Sequence, residues 1–125
     1  MDEVLKLLCS SAKLDRDRGL EQLRDLIDVK ATDCDFIGAL CSQILQLLGD
    51  SNISWESKHG ALTGAKSILL NVKLLKDHDL YASFHASVLK SCFVLLEDDE
   101  SRVRLAAGAT TLWSTGHLEL TCHKH

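Results

Sequence analysis

The chain repeats itself. Glu56-Ser57-Lys58 lies over Glu100-Ser101-Arg102 at a spacing of 44 residues, and Gly64-Ala65 then falls on Gly108-Ala109. A spacing of 42 brings the first segment onto the same frame. The columns become Arg16/Lys58/Arg102, Leu20/Leu62/Ala106, Leu23/Ala65/Ala109, Leu26/Ile68/Leu112 and Ile27/Leu69/Trp113. Each block follows an apolar run ending in a leucine pair: Leu7-Leu8, Leu47-Leu48 and Leu95-Leu96. A period of this length is one supersecondary unit, and a single unit cannot bury both of its faces, so the copies must stack.

The repeated unit reads as helical. Proline is absent, and apolar residues recur at spacings of three and four. Six helices are expected: Asp2–Cys9, Asp15–Val29, Asp33–Leu48, Trp55–Leu75, Asp79–Glu97 and Ser101–His117. Gly49-Asp50-Ser51-Asn52 ends the third, and Ser54 can cap the fourth. Asp98-Asp99-Glu100 puts acids at the start of the sixth, where they favour a helix N-terminus. The fifth carries two apolar stripes, one of Tyr81, Phe84, Val88, Cys92 and Leu95 and one of Leu89, Phe93 and Leu96. A helix lying on a simple surface needs one stripe; two fit a helix placed between neighbours. Gly60 and Gly64, four apart, read as a close-packing device. The repeat frame expects Leu20, Leu23, Ile27, Leu62, Ala65, Leu69, Ala106, Ala109 and Trp113 in the core. The expected organisation is one helical-repeat domain over residues 1–117, with 118–125 as a flexible tail.

The stretch LLEDDESRVRLAAGATTL resembles the second half of a HEAT repeat, with its leucine pair, acidic turn, Val-Arg and alanine-rich helix. ISWESKHGALTGAKSILL is similar, and VLKLLCSSAKLDRDRGLEQLRDLI more loosely so, because Asp17-Arg18 replaces an apolar residue at the helix start. The resemblance implies an all-α fold, an alpha-alpha superhelix (an ARM/HEAT-like solenoid) of about three helix pairs. It implies that Arg104 bonds to the acidic turn at Asp98 or Asp99. Gly60 stands at that position in the second copy and breaks the series, with Lys58 as a substitute. The function implied is that of a non-catalytic protein–protein interaction scaffold or adaptor, the N-terminal HEAT-repeat segment of a larger protein that assembles a multiprotein complex. WESKHGAL also resembles the turn of a tubulin-binding TOG-like module, although Asp15, Asp17, Glu56, Asp98, Asp99 and Glu100 oppose an acidic tubulin surface. A six-helix death-fold signalling domain has a similar size but no internal repetition.

Other classes are disfavoured. The net charge is −4 with acids and bases interleaved, so no basic stripe exists to neutralise phosphates, and nucleic acid is not an expected partner. No run approaches the roughly 18 uncharged apolar residues of a membrane helix. Acids near the N-terminus argue against an export signal, and the expected location is cytoplasmic or nuclear. The five cysteines include no CxxC, and Cys34 and Cys41 on one helix stand about 10 Å apart, beyond disulfide reach. No nucleophile motif is present, so no enzyme activity, small-molecule substrate or cofactor is expected. His117, Cys122, His123 and His125 are zinc-ligand types, but Cys122 and His123 are adjacent in a terminal segment, which reads as a tail. His78 and His85 lack a third ligand at a suitable spacing, and His59 suits packing or capping. No metal is expected.

Two features suggest a partner surface. Trp55 opens a helix after a long polar loop; exposed, it would suit an interaction hot spot, and folded back it would staple the helix start. The positions between the core columns, Glu21/Thr63/Ala107, Arg24/Lys66/Thr110, Asp25/Ser67/Thr111 and Asp28/Leu70/Ser114, form an outer ridge. Leu70 stands there among polar equivalents. Arg24, Trp55, Lys66 and Leu70 are therefore the candidate partner-binding residues, with other proteins as the partners.

Overall fold

The computed structural model describes the backbone of residues 1–71 and 78–123 and the side chains of residues 1–71 and 79–113. Among the described residues six helices follow in order: α1 (Asp2–Leu8), α2 (Lys13–Lys30), α3 (Cys34–Gly49), α4 (Trp55–Leu70), α5 (His78–Leu95) and α6 (Ser101–His123). Among the described residues there is no strand. The starts carry the expected chemistry. Asp33 accepts from the Phe36 N–H at 3.1 Å, and Ser54 accepts from the Ser57 N–H at 3.2 Å, each satisfying a backbone donor that the helix itself leaves unpaired. The fourth helix ends at Leu70, short of the expected Leu75, and the intervening residues 72–77 lie outside the described ones. The sixth runs to His123, past the expected end at His117. Gly116 alone does not stop it, because one glycine costs a helix only about 1 kcal/mol relative to alanine.

The helices form two rows. α2 packs on α4 and α4 on α6, while α3 packs on α5; α1/α2, α3/α4 and α5/α6 are packed pairs. α4 touches each of the other five. Its composition answers that position, since Gly60, Ala61, Leu62, Gly64, Ala65, Ser67, Ile68 and Leu69 are all buried. The C-terminal end of α1 is lodged between α2 and α4. A methyl group on Gly60 would collide with the Leu8 carbonyl oxygen, and one on Gly19 would sit 2.8 Å from Leu7 Cβ. Ser57 donates its hydroxyl to the Cys9 carbonyl at 3.2 Å, satisfying an acceptor that α1 leaves open. Below this crossing Leu8, Leu23, Ile44 and Leu62 are almost wholly buried. Tyr81 of α5 closes the far end of α4, donating its hydroxyl to the Leu69 carbonyl at 2.8 Å.

The core expected from the repeat holds in α2 and α4 and fails in α6. Leu23, Ile27, Leu62, Ala65 and Leu69 are buried and Leu20 is half-buried. In α6, however, Ala109 and Leu112 are exposed, Ala106 and Trp113 are half-buried, and the inward face is Val103, Ala107 and Thr110. The helix starts give the reason. α2, α4 and α6 begin at Lys13, Trp55 and Ser101, so their fourth residues are Arg16, Lys58 and Arg104. Arg102 shares only the charge of that column. On the helix-start frame Gly19, Ala61 and Ala107 coincide, and all three are buried. The third block therefore lies two residues out of the register expected for it.

Candidate interaction surface

The turns that open α2, α4 and α6 lie along one edge, and arginine organises it. Arg16 donates to the carbonyls of Ser10 and Ser11 at 2.9 and 3.0 Å, and Arg104 donates to those of Asp98 and Asp99 at 2.7 and 2.9 Å. The two guanidinium groups do the same job at equivalent positions, closing the turn that precedes their helix. Arg104 thus reaches the acidic turn as expected, through its backbone oxygens. Lys58, at the same position in α4, instead reaches across to the Asp98 carboxylate at 2.6 Å. Gly60 contributes contact with α1, where an arginine would have no room.

Trp55 sits in the middle of this edge, half-buried and packed against the core. The Arg102 guanidinium lies 3.7 Å from its ring centroid, that of Arg16 lies 5.4 Å away, and His59 approaches at 6.3 Å with its ring edge-on. Cations over an indole face are attracted by its quadrupole. α2, α4 and α6 each contribute a residue to this cluster, so the Trp55 ring is engaged by two cations of its own chain. Burial, and then the charges of Arg16 and Arg102, push the His59 pKa below its ordinary value.

A ridge runs away from that edge along α2, α4 and α6. On the helix-start frame its rows are Asp17/His59/Leu105, Glu21/Thr63/Ala109 and Arg24/Lys66/Leu112, followed by Asp28 beside Leu70. The α2 residues are all exposed; His59, Thr63 and Lys66 are half-buried, and Leu70 is exposed. Leu105 and Leu112 are 73% and 77% exposed. The ridge changes character along the rows, from charged on α2 through mixed on α4 to apolar on α6. Arg24 and Leu70 line a recess of about 250 Å³ with Asp28, Ser67 and Asn71, and Asn71 donates to Asp28 at 3.1 Å. Lys66 is on the same ridge outside that recess, and Trp55 belongs to the edge. Three ridge positions expected from the sequence are buried instead: Ser67, Ala107 and Thr110. Leu105 and Leu112 do not fall on the ridge in the sequence frame, because the spacing of 44 residues puts the third block two residues out of register.

The remaining chemistry is quiet. Burial pushes the Cys41 thiol up to about 12 and the Cys92 thiol up to about 11, which keeps both protonated and unreactive. Cys9, Cys41 and Cys92 are not joined in disulfides. Among the described residues no group of three His, Cys, Asp or Glu side chains could hold a metal ion, and no helix is long and apolar enough to cross a membrane. The side chains of His78, His117, Cys122, His123 and His125 lie outside the described ones. A groove of about 830 Å³ opens between α1 and α3 beside Leu5, Lys6, Cys9, Ala39 and Gln46. No family model, curated protein or solved structure matches this chain.

Proposed function

We propose that the chain is a HEAT-like stack of three helical hairpins that acts as a non-catalytic protein-interaction scaffold, binding its partner on the ridge of α2, α4 and α6. The observation that carries this reading is the set of leucines on that ridge. Leu70, Leu105 and Leu112 are exposed on helices that bury aliphatic side chains elsewhere, with Leu112 level with Lys66 and Leu70 beside Asp28. An apolar strip bordered by polar groups is a common form of protein contact surface. Arg24 and Lys66 flank it and would set orientation more than affinity.

A scaffold of this kind works in the cytoplasm or nucleus as part of a larger assembly. The unbridged thiols of Cys9, Cys41 and Cys92 are consistent with a reducing compartment. The TOG-like alternative draws no support from Trp55, whose ring is engaged by Arg16 and Arg102 of the same chain.

The test is proximity labelling from the tagged chain in cells, comparing wild type with Leu105→Glu/Leu112→Glu. Helicity and melting temperature should be unchanged in the variant because both positions face solvent. Partners that disappear selectively in the variant would support the ridge; an identical partner set would remove it as the binding surface.

A further inference from the structure

We infer that this chain pairs with a second copy of itself through the outer flank of α5, in an antiparallel two-fold contact centred on Phe93. The contact stands apart from the ridge above and does not depend on it. The inner stripe of α5 is buried, from Tyr81 to Leu95. The stripe beside it is not covered: Leu89 is half-buried, Leu96 is exposed, and Phe93 is 56% exposed. Val94 is exposed on the other side of Lys90 and Glu97, where it lines the recess beside Leu48 and Gly49 of α3. Earlier in the same row α5 covers α3, and α6 covers α4. Among the described residues, nothing covers this far flank of α5, which meets solvent with large apolar side chains. An exposed apolar strip rimmed by charges marks a contact surface.

The opposite end of the rows is polar. α1 and α2 expose Asp2, Glu3, Lys6, Arg18, Gln22 and Asp25, and the exposed Leu14 and Val29 stand isolated near the two ends of α2. A head-to-tail stack would press these charges against Phe93 and strip their water without giving them partners. The apolar flank therefore finds its complement in the same flank of another copy, which is an isologous contact.

Charge supports the antiparallel arrangement. Lys90 lies three residues before Phe93 and Glu97 four residues after it, and both are exposed. A two-fold axis beside Phe93 turns Lys90 of one copy toward Glu97 of the other, twice. It also brings Leu89 of one copy toward Leu96 of the other. A parallel arrangement would oppose lysine to lysine and glutamate to glutamate.

Sedimentation equilibrium of the wild-type chain over a range of concentrations should show a monomer–dimer equilibrium. Phe93→Glu should raise the dimer dissociation constant by about tenfold or more while leaving helicity and melting of the monomer unchanged. Lys90→Glu and Glu97→Lys should each weaken the dimer, and combining them should restore it. Leu14→Glu, at a still more exposed leucine on α2, should have no effect. In a background lacking Cys9, Cys34 and Cys122, Phe93→Cys should form a disulfide between copies on mild oxidation. A wild-type chain that stays monomeric throughout would overturn the inference. So would a dimer that survives Phe93→Glu, or one that the Leu14 substitution dissolves.

Discussion

Lys58 Nζ stands 2.6 Å from Asp98 Oδ1, in an ion pair whose two side chains retain 14% and 11% of their exposure, and this pair ties the second hairpin to the third. The hydrogen bond from Lys58, aided by the Glu100 N–H and opposed by burial, holds the Asp98 carboxyl below the usual carboxylate range. Lys58→Met should cost about 1–3 kcal/mol, because it strands a largely buried carboxylate. Combining Lys58→Met with Asp98→Asn should cost less than the sum of the two changes. The depressed pKa also sets a pH dependence: the stabilisation is complete above the ordinary aspartate value near 4 and is lost as pH falls through the folded value. Thermal melts on the acid side should therefore fall more steeply for wild type than for Lys58→Met.

Two glycines should respond to alanine in opposite directions. At Gly60 the new methyl would meet the Leu8 carbonyl oxygen, which is backbone and cannot turn aside, so α1 must be displaced. Gly60→Ala should cost about 3 kcal/mol or more in chemical denaturation. At Gly38 nothing lies within 4 Å of the added carbon, and alanine should stabilise α3 by about 0.5–1 kcal/mol. Equal responses at the two sites would contradict the close crossing of α1 and α4.

The register of α6 is open to a direct test with one pair of substitutions. Ala109 is exposed and Ala107 is wholly buried. Ala109→Leu should leave the melting temperature nearly unchanged, within about 0.5 kcal/mol. Ala107→Leu should destabilise by about 1–3 kcal/mol through overpacking. The reverse pattern would restore the register in which Arg102, and not Arg104, is the counterpart of Arg16.

His59 should make the fold sensitive to mild acid. Its pKa is lowered by burial first and then by Arg16 and Arg102, with Asp17 opposing. Between the folded value and the unfolded value near 6.5 the unfolded chain binds the extra proton, so stability is complete above about pH 6.5 and declines as pH falls through the folded value. His59→Gln should flatten that decline in melts between about pH 5 and 7. A slope unchanged by the substitution would assign it to another group.

Local signals carried a good deal of this fold. Absent proline and three-and-four periodicity marked all six helices, Ser54 was legible as a cap, and Gly60 with Gly64 as a close-packing pair. Those features depend on residues within a turn or two of each other, so the sequence alone determines them. The placement of α6 does not work that way. Alanines at 106, 107 and 109 point in different directions and are equal in volume, so no local pattern says which faces inward. Tertiary contact decides it: Arg104 closes its own turn as Arg16 does, while Arg102 lies over Trp55. The same holds for the ridge and for α5. Leu105, Leu112 and Phe93 recur with a helical period like any core residue, and a period records a shared face, never what covers that face. Whether a neighbouring helix lies over it depends on how the hairpins stack, and that is a property of the assembled chain.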